Sequence, residues 1–363
     1  MFFRFITLSF LCLFSLIGSA QSVFNEYSSL FTVPANYTIR YTDSPPIIDG
    51  HINDVVWGSV SWTDYFQDIE GDIRPKPYHE TRVKMLWDNS NLYIAAELQD
   101  PHVWATLTKR DEIVFFDNDF EVFIDPLNSA HNYFEIEVNA LNTIFDLFLY
   151  KPYRNGGSAL FSWDSQGMQH AVQIQGTINN TNDEDTGWTV EMAIPFRALT
   201  MGNEVNVPKE GSLWRINFSR VQWETEIIDG KYIKRKDAKG KVLPENNWVW
   251  SPQGVIDMHR PERWGYLLFT KNGVNDQSQF ELPYSEKQKQ YLWLVYYKQQ
   301  DYRHKNKRFA KSLGELGLSD LNIDIDGKMN ELILITTDHR FNIMIKDELG
   351  KFVSLNEEGL VTN

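Results

Sequence analysis

The sequence predicts a mainly β protein, in which a β-sandwich of the jelly-roll or immunoglobulin-like kind precedes a small C-terminal α+β appendage. Three observations support this prediction. Short runs of alternating apolar and polar residues repeat from about residue 40 to residue 269, turn residues separate them, and helical periodicity is nearly missing between them. Many short strands without interleaved helices are typical of sandwiches and jelly rolls.

The N-terminal segment has the three parts of a secretory signal. A single cation, Arg4, precedes an apolar stretch from Phe5 to Ile17, and small residues follow as far as Ala20. Such a segment is removed on export, so we expect a signal peptide over residues 1–20, a cut near Ala20–Gln21, and a secreted or periplasmic protein. The apolar stretch is too short for a transmembrane anchor, and no later stretch is long enough to span a bilayer.

The composition excludes several classes of function. The only cysteine, Cys12, lies within the signal, so the processed chain offers no disulfide, thiol nucleophile or thiolate metal site. Without Arg4, 34 Lys and Arg side chains face 49 Asp and Glu side chains, and the net charge is −15. Such a surface repels phosphate backbones, so nucleic acid is not an expected partner.

Predicted strands follow one another through residues 35–271, the predicted sandwich domain. The first two, Thr81–Trp87 and Leu92–Leu98, flank a four-residue turn sequence and predict a hairpin. The other predicted strands are Asp119–Asp125, Tyr133–Ala140, Thr143–Tyr150, Met168–Gly176, Trp188–Ile194, Leu213–Ser219 and Gly265–Phe269. The charged stretch Glu224–Asn247 has no sustained period and predicts a loop or a ribbon.

The sequence pattern changes after residue 271. Residues 272–284 predict a polar linker, and residues 285–363 predict a helix followed by a hairpin. The helix is predicted over Ser285–Leu316, where the apolar block Tyr291–Tyr297 precedes a basic section and glycines follow.

The hairpin is predicted from two strand-like runs, Glu331–Thr336 and Phe341–Lys346, joined by a short turn. A hairpin of this size cannot cover the apolar block of the helix. We therefore expect the appendage to pack on the sandwich, with the basic section of the helix attracted to the acidic main domain.

Strand alternation sorts several polar side chains onto one face. Glu121 lies on one face of its strand. Glu135, Glu137 and Asn139 share a face of the next strand, and Arg215 and Glu191 lie on faces of later strands. If these strands are neighbours, one sheet carries carboxylates, amides and an arginine on its open face. Sugars bind such surfaces through hydrogen bonds and ring stacking, although a solvated face with cross-strand ion pairs is the commoner outcome.

A series of motifs, in order, resembles the family 9 carbohydrate-binding modules. The resemblance covers Ile48–Phe269 and implies a β-sandwich, non-catalytic glycan binding and, in some members, structural calcium. The motifs that carry it are Ile48-Asp49-Gly50 with Trp57, the strand Asp119-Phe120-Glu121-Val122-Phe123-Ile124-Asp125, the strand Gly187-Trp188-Thr189-Val190-Glu191, and the closing Pro261-Glu262-Arg263-Trp264-Gly265.

The resemblance also implies a set of binding residues. The acidic ligand residue of the family falls on Glu121 and its strand asparagine on Asn139, whereas an arginine of the family falls on Glu137, a reversal of charge. Of the two tryptophans that clamp the sugar, one falls on Phe115 and the other on or near Met258. The resemblance therefore implies a binding face in the same place with different chemistry.

A second cluster of aromatic residues lies late in the predicted sandwich. Trp248 and Trp250 share a strand face, and His259 adds a hydrogen-bonding group nearby. Paired tryptophans in a sandwich are more often core than ligand platform. Trp250 and His259 remain candidates for ligand contact.

The sequence favours a secreted, non-catalytic carbohydrate-binding protein that assists glycan capture or polysaccharide degradation. The candidate binding residues are Phe115, Glu121, Glu137, Asn139, Trp250, Met258 and His259. The alternative is a glycoside hydrolase using Glu121 and Glu137, because glycosidases work with paired carboxylates, although nothing separates the two environments enough to assign an acid and a nucleophile. A structural envelope protein whose sandwich only mediates contacts is a third class.

Overall fold

The computed structural model describes residues 27–271, 280–318 and 322–362. The predicted signal peptide and most of the predicted linker lie outside these residues. Among the described residues, no helix is both long and apolar enough to cross a membrane.

All nine strands predicted for the main domain are present. The described part of this domain contains β1 Asn36–Tyr41, β2 Gln67–Asp68, β3 Thr81–Trp87, β4 Asn91–Gln99, β5 Asp119–Asp125, β6 Tyr133–Asn139, β7 Ile144–Leu149, β8 Ala159–Leu160, β9 Gln169–Gln175, β10 Gly187–Pro195, β11 Leu213–Gln222, β12 Thr225–Ile228, β13 Lys231–Lys234, β14 Asn246–Val249 and β15 Gly265–Thr270. The charged stretch predicted as a loop or ribbon contains the two-stranded ribbon β12–β13.

Two layers of one continuous hydrogen-bonded sheet form a β-sandwich, as predicted. The strand order is β8-β7-β6-β5-β11-β15-β1-β3-β4-β10-β9, and β14 and β2 extend the sheet beside β11. β1 pairs in parallel with both β15 and β3, and so joins the two layers. The inward positions of both layers, such as Val122 and Phe218 on one side and Ile94 and Val190 on the other, share one apolar core.

A buried ion pair links the two layers. Arg220 on β11 lies 3.2 Å from the carboxylate of Asp100, and both side chains are almost completely buried. The same guanidinium donates to the carbonyl of Gln99 at 2.7 Å, to the hydroxyl of Thr81 at 3.1 Å and to Gln222 at 2.9 Å. Its donors are thus shared between strands of both layers.

Glu191 on β10 explains the opening Ile48-Asp49-Gly50 … Trp57 motif. Its buried carboxylate accepts hydrogen bonds from the backbone N–H of Asp49 at 3.2 Å and of Gly50 at 2.9 Å, and from the indole Nε1–H of Trp57 at 2.7 Å. Gly50 has φ +88°, and a Cβ there would lie 2.8 Å from the backbone nitrogen of Gln173. The motif is therefore an anchor of the N-terminal segment onto β10, in the layer away from Glu121.

Replacing Glu191 with glutamine is expected to lower the free energy of unfolding by about 2 kcal/mol. The amide NH2 of glutamine would face N–H donors, and each buried donor left without an acceptor costs about 1–3 kcal/mol. Urea denaturation measures the change. Glu97→Gln, at an exposed carboxylate paired with Arg82 on the same layer, is the control and should cost less than about 1 kcal/mol. Equal costs in the two variants would contradict the anchoring role.

The described part of the C-terminal appendage contains one α-helix and a five-stranded sheet, where the sequence predicted a longer helix and a hairpin. Its elements are α1 Tyr284–Asn306, β16 Asn322–Ile325, β17 Lys328–Thr336, β18 Phe341–Asp347, β19 Phe352–Asn356 and β20 Val361–Thr362. The prediction that the helix extends to Leu316 is wrong. Lys307 takes a left-handed conformation with φ +60°, and its N–H caps the carbonyl of Arg303 at 2.8 Å.

The N-terminal half of α1 packs against the sandwich. Glu286 accepts from Arg215 and from the Tyr266 hydroxyl, both at 3.1 Å, and from the amide of Asn128 at 2.9 Å. The apolar block of the helix is buried, mostly against the five-stranded sheet. The ion pair that holds the helix against the sandwich is thus formed by Glu286 and Arg215, and not by the basic section of the helix as expected.

The basic section of the predicted helix forms ion pairs within the appendage instead. Arg308 pairs with Glu315 at 3.1 Å, and Lys311 pairs with Asp338. Both basic side chains are partly exposed. The expectation that this section would be drawn onto the acidic main domain is therefore not met, because acidic partners were available closer along the chain.

Candidate functional site

A cavity of about 390 Å³ opens on the outer face of the layer formed by β5, β6, β7 and β11. Its floor carries the outward side chains of β5 and β6, with Glu121, Phe123, Glu135 and Glu137. Side chains of the surrounding loops form the walls, so that this face of the sheet is covered rather than fully open to water. The volume lies within the range of small-molecule sites in proteins, about 300–1,000 Å³.

Strand register brings the acidic side chains of the floor together. β5 and β6 are antiparallel, with Glu121 directly opposite Glu137, and Ser219 of β11 is opposite Glu121 on the other side. Asp119 lies on the same face of β5 as Glu121, because successive odd positions share a face. One carboxylate oxygen from each of Asp119, Glu121 and Glu137 lies within 4.8 Å of the others.

Among the residues that the structure describes, no lysine or arginine pairs with these buried carboxyl groups. Three other buried carboxylates, Asp146, Glu262 and Asp100, each pair with an arginine, whereas that of Glu191 is held by N–H donors. Burial raises the pKa of Glu121 to about 7. Burial, with added repulsion from Glu121, raises the pKa of Glu137 well above its usual value.

The pKa values of Glu135, on the same floor, and of Asp119, buried beside it, move in the same direction. Burial raises the pKa of Asp119 and of Glu135 well above their usual values, and the charge of Glu121 adds to both shifts. Near neutral pH the carboxyl group of Glu121 is therefore partly protonated, and it can donate as well as accept hydrogen bonds.

Five of the seven candidate residues line this cavity: Phe115, Glu121, Glu137, Met258 and His259. The backbone N–H of Phe115 donates to Glu137 at 3.1 Å, which links the wall to the floor. Nδ1 of His259 lies 2.9 Å from the hydroxyl of Tyr133, and burial lowers the pKa of His259 to about 4, so its ring is neutral at pH 7. Met258 packs on the apolar cluster of the outer face.

Asn139 and Trp250 do not line the cavity. The Asn139 amide donates to the carbonyl of Leu107 at 2.9 Å and to Asp117 at 3.0 Å, and its oxygen accepts two backbone N–H groups of the following turn. Trp250 lies in the core between the layers, and its ring occupies the space that a Cβ on Gly265 would need, at 2.3 Å. Asn139 positions a loop, and Trp250 fills the core.

Several lining residues were not among the candidates. Glu135 shares the strand face of Glu137, and alternation alone could have added it. Tyr153 and Phe161 come from the irregular segment after β7, where no period marks them, and both are exposed at the cavity. Phe161 stacks on Phe145 with ring centroids 5.9 Å apart.

This fold and this cavity define a β-sandwich of the ligand-binding kind, with carboxyl groups on the floor and aromatic rings at the rim. The chain belongs to the carbohydrate family 9 binding domain-like family, which it matches over residues 48–251, more than half of its length. The match confirms the resemblance drawn from the motifs.

Curated relatives are similar to part of the chain. The chain is 26% identical over 158 residues to "Exoglucanase XynX" of Acetivibrio thermocellus and 26% identical over 161 residues to "Endo-1,4-beta-xylanase A" of Thermoanaerobacterium saccharolyticum. Each match covers 44% of this chain but only 12% and 11% of the relatives, respectively. The chain thus spans about a tenth of the length of these proteins.

A solved structure is also similar to the chain. It is a family 9 carbohydrate-binding module from Caldicellulosiruptor kristjanssonii in complex with cellotriose, 14% identical, with a TM-score of 0.39. The similarity covers 68% of this chain and 99% of that module.

Proposed function

We propose that the protein is an exported, non-catalytic glycan-binding protein and that it holds the sugar in the cavity on β5, β6, β7 and β11. The observation that carries the proposal is the cavity itself, a polar floor walled by aromatic rings in a member of this family. Residues 1–20 support export by their pattern. The names of the relatives, an exoglucanase and a xylanase, support a role in polysaccharide degradation.

The chemistry of the cavity suits a sugar. Carboxyl groups with raised pKa values both donate to and accept from hydroxyl groups, so Glu121 and Glu137 match vicinal hydroxyls on a ring. The rings of Phe115, Tyr153 and Phe161 offer apolar faces for the C–H side of the sugar. Met258 adds a flexible apolar wall where the family has an aromatic clamp.

The arrangement favours binding over hydrolysis. Glu121 and Glu137 lie side by side on one sheet face, and the same cause, burial, raises both pKa values. A glycosidase instead needs carboxyls flanking the scissile bond, with environments that keep one protonated and the other ionised.

Structural calcium, implied by the family resemblance, stays a prediction.

Replacing Glu121 with alanine is expected to weaken glycan binding about ten-fold or more and to leave the fold intact. The loss of a charge-assisted hydrogen bond costs about 1.5–3 kcal/mol. A glycan array on the processed protein identifies a ligand, and calorimetry then compares the affinities of the variants. Glu97→Ala, on the exposed face of the other layer, is the matched control and should bind as the parent does.

Unchanged affinity in Glu121→Ala, for a glycan that the parent binds, would remove Glu121 from the site. Reducing-sugar release from the same glycan separates binding from hydrolysis. We expect none. Turnover that disappears in Glu137→Gln would favour the glycoside hydrolase.

A further inference from the structure

The acidic floor of the cavity differs from the other acidic cluster in the described chain. Asp111, Asp146 and Asp164 also approach one another, but Arg110 lies among them, at 3.7, 2.5 and 3.1 Å. That cluster thus already has a guanidinium in contact with each of its carboxylates. The floor cluster has no such cation among the described residues, although it is the more deeply buried of the two.

One buried oxygen beside the floor lacks a hydrogen-bond partner among the described residues. It is Oδ2 of Asp119, and the side chain is completely buried. Asp119 Oδ1 accepts the backbone N–H of Val221 at 3.2 Å, whereas Oδ2 is left free. Buried polar atoms in proteins are nearly always satisfied, so the unpaired oxygen of Asp119 beside two further carboxylates points to a missing positive group.

The spacing of the oxygens suits one ion. Calcium binds oxygen ligands at about 2.3–2.6 Å, so two ligands on opposite sides of it lie about 4.6–5.2 Å apart. The carboxylate oxygens of Asp119, Glu121 and Glu137 lie within 4.8 Å of one another. No nitrogen or sulfur ligand stands among the three, which favours a hard cation over zinc.

We propose that Asp119, Glu121 and Glu137 form a binding site for a hard divalent cation of the calcium class at the floor of the cavity. One oxygen of Asp119 and Oε2 of Glu137 already accept backbone N–H groups, which leaves at most four carboxylate oxygens for the ion. Calcium takes about six to eight oxygen ligands. Glu121 and Glu137 line the cavity, so water or the vicinal hydroxyls of a bound sugar can complete the shell, a consequence that rests on the proposed function.

The direct test is calorimetry of the EDTA-treated full chain titrated with CaCl2. We expect one ion per chain and a higher melting temperature with calcium. Binding should weaken at least ten-fold in Asp119→Asn and in Glu121→Gln. It should be unchanged in Asp164→Asn, the matched control in the cluster that already contains Arg110.

The parent protein alone can overturn the proposal, whatever the folding of the variants. No heat and no melting shift at calcium concentrations well above about 1 mM, the weak end for extracellular calcium modules, would contradict it. So would calcium binding that is lost only in Asp164→Asn.

A glycan titration in EDTA and in CaCl2 separates this proposal from the proposed function. If the protein binds glycan but no calcium, the proposed cation site is contradicted and the proposed function stands. If calcium binding depends on Glu121 but no glycan binds on the array in CaCl2, the cation site stands and the proposed function is contradicted. Glycan affinity that rises at least ten-fold with calcium supports both.

Discussion

Replacing Arg220 with methionine is expected to lower the free energy of unfolding by about 3–5 kcal/mol. Arg220 is completely buried and is the cation that pairs with the equally buried carboxylate of Asp100, at 3.2 Å. Its removal leaves that charge uncompensated, and it also frees the carbonyl of Gln99 and the amide of Gln222 from their donor. Breaking one side of a buried ion pair costs far more than the pair itself contributes.

Urea denaturation of the parent, of Arg220→Met and of Arg82→Met tests this expectation. Arg82 pairs with Glu97 at 2.6 Å on the exposed surface, so its loss should cost at most about 1 kcal/mol. Adding Asp100→Asn to Arg220→Met should recover part of the stability, because the uncompensated charge is then gone. Similar losses of unfolding free energy in Arg220→Met and Arg82→Met would show that the buried ion pair between the layers contributes no more to stability than an exposed one.

The metal-free protein is expected to lose stability as the pH rises from about 4.5 to about 7. Burial raises the pKa of Glu121 from an ordinary 4.5 to about 7, so in this window the folded state holds a proton that the unfolded state releases. Folding is therefore favoured below pH 4.5, and the advantage is lost as the pH passes the folded pKa. For Glu121 alone the change amounts to about 3 kcal/mol.

Unfolding in urea at several pH values in EDTA, for the parent and Glu121→Gln, measures the effect. The variant should gain on the parent steadily between pH 4.5 and 7, because its amide does not ionise. Glu97→Gln, at an exposed position, should keep a constant difference from the parent. A constant difference for Glu121→Gln as well would mean that the Glu121 carboxylate is not destabilised by burial.

Strand positions were predictable from the sequence because alternation has a period of two and a buried face repeats it. The same rule placed Glu121 and Glu137 on one face, and register then set them opposite each other. Glu191 obeys the rule equally well, yet it lies in the other layer. Alternation assigns a face within a strand, whereas the layer depends on which strands pair across long stretches of chain.

The rest of the site depends on loops, whose sequences show no regular alternation of apolar and polar residues. Tyr153 and Phe161 reach the cavity from an irregular segment, and the aromatic pattern that singled out Trp250 belongs to the core. The helix ends earlier than predicted because Lys307 takes a left-handed backbone conformation. Glycine is the usual residue at such a helix end, so a lysine there gives no sequence signal that the helix stops. Loop paths are set by tertiary contacts that no short window of sequence contains.

The parallel pairing of β1 with β15 has a consequence for the order of folding. Asn36 lies beside Tyr266 in the sheet, although about 230 residues separate them along the chain. A growing chain can form the β3–β4 and β5–β6 hairpins early, but the strand joining the layers has to wait for almost the whole domain. Contacts of such long sequence separation slow folding, because the entropy of closing the loop is lost before the contacts form. Until β15 is made, one edge of β1 stays unpaired, and an unpaired edge exposes a partly made chain to strand exchange with a neighbour.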